Sequence, residues 1–161
     1  MRRKNTLLLF LCLFSLWAVA QEKKPVKIAC VGNRITYGSG IKNQFQNSYP
    51  GLLSQLLGEG YDVRNFGISA RVMLNKGDHP YMHEQKFRDL LAFQPDIVTI
   101  KLGTNDSKPW NWHYGKDFGK DLTEMLDILQ DLPSKPKIYL CFPVPAVKRN
   151  FGINDSVITV S

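Results

Sequence analysis

The sequence predicts an α/β domain built on a parallel sheet, because short apolar runs typical of buried strands alternate with segments of helical periodicity. Two of these runs end in small polar blocks, Gly32 to Thr36 after the first run and Gly103 to Asp106 after the third. In open α/β sheets, ligands bind outside the carboxyl ends of the strands. Both blocks are therefore predicted to lie at a catalytic or binding site.

Four strands are predicted from the apolar runs, over residues 26–31, 61–66, 97–102 and 138–142. Three helices are predicted between them, since apolar residues recur there at steps of three and four. The first helix begins at Pro50, whose missing N–H costs nothing in a first turn. Asp155 is predicted to begin one more helix after the fourth strand. The apolar faces are Leu52, Leu53, Leu56 and Leu57; Phe87, Leu90 and Leu91; and Phe118, Leu122, Met125 and Leu129.

Residues 1–20 are predicted to be a signal peptide rather than part of the fold. Three basic residues precede an apolar run from Leu7 to Val19, and small residues then provide a cleavage site before Gln21. The run is shorter than the roughly 20 residues that span a bilayer, although a retained anchor is the alternative. We therefore expect an exported protein, periplasmic or extracellular, whose domain is residues 21–161.

The charge and the cysteines exclude some classes of function. The net charge of +7 falls to +4 without the signal peptide, and the remaining basic residues are scattered, which argues against nucleic-acid binding. Cys30 and Cys141 lie in the predicted first and fourth strands. With one strand between them they would be about 10 Å apart, too far for a disulfide. We predict two buried free thiols.

Three blocks, each after a strand, resemble the SGNH (GDSL) hydrolases, and most closely the bacterial sialate or carbohydrate O-acetylesterases. The block Gly32-Asn33-Arg34-Ile35-Thr36 resembles the family's Gly-Asp/Asn-Ser-Ile-Thr, with Arg34 where the family has its nucleophilic serine. Gly67 in Asn65-Phe66-Gly67 matches the second block, and Gly103 to Asp106 matches Gly-x-Asn-Asp. The family's Asp-x-x-His has no counterpart in these 161 residues.

The resemblance implies a three-layer, flavodoxin-like sheet with strand order 2-1-3-4, and an incomplete C-terminal part that leaves the fourth strand as an apolar edge. It implies a carboxylic ester hydrolase acting on small-molecule or glycan esters. Its oxyanion hole would be formed by the backbone N–H of Arg34, the backbone N–H of Gly67 and the side-chain amide of Asn105. Turn chemistry alone is the plainer interpretation of the last two.

This copy is predicted to be inactive, because a guanidinium cannot attack a carbonyl group. The neighbouring hydroxyls of Thr36, Tyr37 and Ser39 are not expected to replace the serine. No histidine lies in an Asp-x-x-His block, and none is expected to act as a base or to hold a metal; the three are His79, His83 and His113. We expect no metal and no cofactor, and the sequence carries no phosphate-binding loop.

Trp110 and Trp112, with Tyr114, follow the third block and are candidates for a substrate-binding wall on which a sugar ring would stack. The plainer interpretation is that they cover the edge of the sheet. Two other functions stay open. One is a non-catalytic carbohydrate-binding protein in which Arg34 clamps a carboxylate-bearing sugar such as a sialic acid. The other is a lysophospholipase or short-chain lipase of the same family.

Overall fold

A computed structural model describes residues 23–144 and 152–158 of the chain. The predicted signal peptide, residues 1–20, lies outside the described residues. Among the described residues, no helix has the length and apolar character needed to cross a bilayer.

The centre of the fold is a four-stranded parallel sheet. Its strands are β1 (Val26–Gly32), β2 (Tyr61–Gly67), β3 (Ile97–Lys101) and β4 (Lys137–Leu140). Their order across the sheet is β2-β1-β3-β4, and all neighbouring pairs are parallel. The α/β class and the predicted order 2-1-3-4 are both confirmed.

In the part of the chain that the structure describes, three α-helices of nine residues or more connect the strands, and four α-helices of four residues lie in the loops or after β4. The longer helices are α3 (Tyr49–Leu57), α4 (Gln85–Phe93) and α6 (Phe118–Gln130). They match the three helices predicted from apolar periodicity. The short helices are α1 (Arg34–Tyr37), α2 (Gln44–Asn47), α5 (Pro109–Trp112) and α7 (Asp155–Ile158).

The main core lies between one face of the sheet and the helices α4 and α6. The apolar side chains of these elements are spaced for burial on one side, which is why the chain folds them against the sheet. Its members include Val31, Phe66, Met73, Tyr81, Phe87, Leu90, Phe93, Val98, Ile100, Leu102, Met125, Leu129 and Leu132.

On the other face of the sheet, the predicted helix α3 is present, but only its Pro50 is buried, and Leu52 and Leu56 of its apolar face are exposed. Cys30 and Cys141 are both free, as predicted, but the predicted burial of Cys141 is wrong, since only Cys30 is buried. Cys141 lies just beyond β4, on the side of the strand that carries Tyr139. That side is exposed, whereas Ile138 on the opposite side packs on the core.

Candidate active site

The carboxyl ends of three neighbouring strands bring the predicted blocks together. In the sheet register Gly32 pairs with both Gly67 and Lys101. Arg34 follows Gly32 by two residues, Gly67 ends β2, and Asn105 follows Lys101 by four residues. The loops that carry positions 34, 67 and 105 therefore start side by side at one edge of the sheet.

Arg34 is the first residue of α1, and backbone hydrogen bonds hold the short helix that follows it. Asn33, just before it, is buried. The Tyr37 N–H donates to the Asn33 carbonyl at 2.8 Å, and the Gly38 N–H donates to the Arg34 carbonyl at 3.0 Å. A first helical residue has a backbone N–H that the helix itself does not use. Arg34 is exposed, so its side chain lies at the surface of the site.

Gly67 packs directly against the backbone of α1. A Cβ atom added to Gly67 would clash with the backbone nitrogen of Tyr37 and lie 2.7 Å from the carbonyl carbon of Thr36. Only glycine permits this approach. The close contact fixes the end of β2 against the turn that begins at Arg34.

Asn65 bridges the same two segments. Its Nδ2 donates to the Thr36 carbonyl at 2.8 Å, and its Oδ1 accepts the Gly67 N–H at 2.8 Å. The N–H predicted to face an oxyanion is thus donated to a neighbouring side chain in this structure. For Gly67 to serve as an oxyanion donor, this bond must be shared or exchanged.

Asn105 is buried and joins the β3 loop to the segment after β2. Its Nδ2 donates to the Arg71 carbonyl at 3.1 Å, while its backbone carbonyl accepts the Asn111 side-chain amide at 3.0 Å. The amide has two hydrogens, and this bond uses one of them. The arrangement fixes the orientation of the side chain that is predicted to donate to the substrate.

Asp106 makes the strongest connection between these two segments. Its Oδ1 accepts the backbone N–H groups of Met73 and Leu74, both at 2.8 Å. The side chain is fully buried. Burial raises the pKa of this carboxyl to about 6, against the opposing effect of the Leu74 and Met73 N–H groups. Asp106 is a positioning residue that sequence reasoning did not single out, although it lies inside the third block.

The two predicted aromatic residues differ in their support. Trp110 is 54% exposed, yet its Nε1 donates to Asp78 Oδ2 at 3.1 Å, so the ring is held in place. Trp112 is less exposed and packs near the Phe118 ring, with centroids 6.2 Å apart. Both lie on α5, which follows Asn105 and Asp106. A sugar-stacking role for them stays a prediction.

A cluster of polar side chains packs against the sheet side of α1, and one candidate nucleophile, Thr36, belongs to this cluster. Thr36 is fully buried, so its hydroxyl does not reach a substrate. The Tyr49 hydroxyl lies 3.4 Å from Thr99 Oγ1, and burial raises the pKa of Tyr49 to about 12. Burial also raises the pKa of the Cys30 thiol. The Tyr49 hydroxyl and the Cys30 thiol are therefore neutral at ordinary pH.

The histidines lie at the surface, and His113 packs edge-on against Tyr114 with ring centroids 5.0 Å apart. Within residues 23–144 and 152–158, no group of three or more His, Cys, Asp or Glu side chains could hold a metal ion.

Comparisons with known proteins agree with this architecture. The family model described as GDSL-like Lipase/Acylhydrolase matches residues 30–158. An acetylxylan esterase from Xylanibacter ruminicola is 50% identical in an alignment 157 residues long, and the match covers 87% of this chain and 33% of that protein. The chain thus spans about a third of the length of this curated relative.

Solved structures of esterases share the fold. An aryl esterase from M. smegmatis has a TM-score of 0.58 at 21% identity, covering 83% of this chain and 74% of that chain. A carbohydrate acetylesterase from Sinorhizobium meliloti has a TM-score of 0.58 at 20% identity, covering 74% and 65%. At these identities the likeness concerns the fold alone.

Proposed function

Because the chain belongs to the GDSL-like lipase/acylhydrolase family, we propose that it is a carbohydrate O-acetylesterase domain that keeps the oxyanion-binding part of the active site. We further propose that this copy does not turn over esters, since Arg34 occupies the position of the attacking group. The observation that carries the proposal is the junction of the loops after β2, β1 and β3, with an arginine at the first residue of α1.

The junction supports an oxyanion-binding role because its parts are held before any substrate arrives. Asn65 ties β2 to α1, and Asp106 ties the β3 loop to the segment after β2. Fixed donors stabilise a developing oxyanion most because they need not reorganise during the reaction. In the proposed site, the donors are the N–H of Arg34, the N–H of Gly67 and the amide of Asn105. The Gly67 N–H serves only after its bond to Asn65 Oδ1 is shared or exchanged, so the fixed part of the site is its backbone rather than all three donors.

Chemistry at position 34 limits what this site can do. Ester cleavage through an acyl-enzyme needs a nucleophile with a lone pair and a base to accept its proton. A guanidinium carries five donors and no acceptor. In this chain the reaction therefore fails at its first step, whatever group serves as the base.

An acetylated sugar is the substrate class that the relatives favour. The Xylanibacter ruminicola relative is an acetylxylan esterase, and one structural neighbour is a carbohydrate acetylesterase. We propose an O-acetylated neutral polysaccharide, with an O-acetylated sialic acid as the alternative sugar. The exposed, hydrogen-bonded ring of Trp110 supports sugar stacking beside the site. Such a substrate fits the proposed export of the protein.

Covalent trapping tests the proposal. A fluorophosphonate probe labels an activated serine and leaves arginine unmodified. We expect no label on the natural chain. We expect a label on a chimera that carries Arg34→Ser and continues, past the aligned region, with the sequence of the Xylanibacter ruminicola relative. The same chimera with Arg34 retained is the matched control.

Two results would contradict the proposal. A label on the natural chain would identify another nucleophile, and an unlabelled Arg34→Ser chimera that folds would exclude a working oxyanion site. Affinity for free sialic acid that disappears in Arg34→Ala would instead favour the cation-clamp function.

A further inference from the structure

A groove with a volume of about 680 Å³ lies beside the outer edge of β2. Residues Asp62 to Asn65 of β2 line one side. Residues Gln44 to Gln46 of α2, together with the start of α3, line another, and Lys86 of α4 closes a third. This volume is within the range of small-molecule sites.

The groove is continuous with the candidate active site. Tyr37, the last residue of α1, and Gly67, the last residue of β2, both line it. Gly67 is also one of the three proposed oxyanion donors, and Asn65 of the groove accepts its N–H. A molecule with its ester at the junction would therefore extend into the groove.

The lining combines an exposed ring with side-chain amides. Phe45 is 91% exposed, so its ring is accessible to a ligand. Gln44, Gln46 and Gln55 line the same groove. A pyranose ring presents apolar C–H faces and hydroxyl edges, which suit an aromatic ring and amides that both donate and accept.

The charges of the lining point to a neutral ligand. Arg64 makes a two-pronged ion pair with Asp62, at 2.8 and 3.1 Å, so these charges compensate each other. Lys86 is the remaining charged side chain of the described lining. A polyanion would find one uncompensated cation there, whereas a neutral sugar chain requires none.

Addition of a peptide strand to β2 is disfavoured because both ends of this edge are already bonded. The Tyr61 N–H donates to the Gly58 carbonyl at 3.1 Å, and the Gly67 N–H donates to Asn65 Oδ1 at 2.8 Å. Strand addition depends on a row of available main-chain groups. These two N–H groups are therefore not available to an added strand.

We propose that this groove binds the unmodified sugar units that flank the acetylated unit of a neutral polysaccharide. The inference rests on the proposed function, which places the ester of the acetylated unit at the junction. The flanking units would then lie beside β2. Phe45 and Tyr37 contact sugar faces, and the glutamines contact hydroxyl groups.

Isothermal titration calorimetry of the full chain with unacetylated xylohexaose tests the proposal. We expect saturable binding, and an association constant about tenfold lower in Phe45→Ala, equivalent to about 1.4 kcal/mol. Leu56→Ala is the matched control, because Leu56 is 84% exposed on α3 and outside the groove lining. Its affinity should equal that of the natural chain.

Several outcomes would overturn the proposal. These are absence of xylohexaose binding, equal affinities in Phe45→Ala and Leu56→Ala, or binding of an alternating threonine–valine hexapeptide in place of the sugar. Thermal melts of both variants establish that they fold. Xylohexaose carries no ester, so this result is independent of fluorophosphonate labelling, and failure of one experiment does not decide the other.

Discussion

The β3 loop (residues 103–111) and the β1 segment (residues 34–45) leave the same edge of the sheet but are built differently. The β3 loop buries four polar residues and connects them through hydrogen bonds; they are Asn105, Asp106, Ser107 and Asn111. The β1 segment exposes four large side chains, Ile35, Tyr37, Ile41 and Phe45. One loop is a fixed scaffold, and the other presents a surface.

The difference explains how the site can keep its shape with an arginine at position 34. Backbone donors depend on the fold of a loop rather than on its side chains. The scaffold is held by hydrogen bonds of the Asp106 and Asn65 side chains and by the close packing of Gly67 on the backbone of α1. Substitution at position 34 therefore changes the chemistry more than the architecture.

The largest effect is expected when the scaffold itself is broken. Asp106→Ala leaves the buried N–H groups of Met73 and Leu74 without their acceptor, at a cost of about 3 kcal/mol of unfolding free energy. Urea denaturation at about pH 5 measures it. Asp131→Ala, whose side chain is 89% exposed, is the control and should change stability little. Equal stabilities would show that Asp106 does not hold the two segments together.

Acidity provides a second test of the same carboxyl. Its folded-state pKa of about 6 lies above the ordinary value of 3.8, so protonation favours the folded state. The stabilisation that this protonated carboxyl gives the folded state is fully present below the pKa of the unfolded state. It is lost as the pH rises through the pKa of the folded state. Relative to the Asp106→Asn variant, the free energy of unfolding of the natural chain should fall by about 2 kcal/mol between about pH 4 and about pH 7. A constant difference across this range would contradict the burial argument.

The contact between the two regions should be sensitive to one methyl group. Gly67→Ala places a Cβ against the backbone of Thr36 and Tyr37, where no flexible side chain can move away. We expect a loss of about 1 to 2 kcal/mol in thermal or urea unfolding. Gly60→Ala is the control, since an added Cβ there meets nothing within 4 Å. Indistinguishable variants would mean that β2 and α1 are not in close contact.

The sequence predicted the parts of the fold that depend on long patterns. The four strands and the helices α3, α4 and α6 lie close to their predicted positions, because the spacing of apolar residues indicates both strands and long helices. The four-residue helix α2 is too short to show a period, and no helix was predicted there. The exposure of Leu52, Leu56 and Cys141 was not predictable, because periodicity indicates an apolar face but not whether another element covers it.

The candidate site was predicted in part for a similar reason. The ends of the predicted strands, together with the resemblance to the family, placed positions 34, 67 and 105 at one edge of the sheet. It did not reveal that Asn65 accepts the Gly67 N–H, although an asparagine two residues before a glycine is a signal for such a turn. The groove beside β2 is lined by residues of five separate elements, α1, α2, α3, β2 and α4, and no local pattern could have indicated it.

Ester turnover tests the central claim most directly, namely that the oxyanion scaffold is present while the attacking group is absent. The measurement is the rate of p-nitrophenyl acetate hydrolysis by the natural chain and by the Arg34→Ser chimera. We predict that the natural chain is no faster than a heat-denatured sample, and that the chimera turns over with a burst of p-nitrophenol. Turnover by the natural chain, or a folded chimera without activity, would contradict the account.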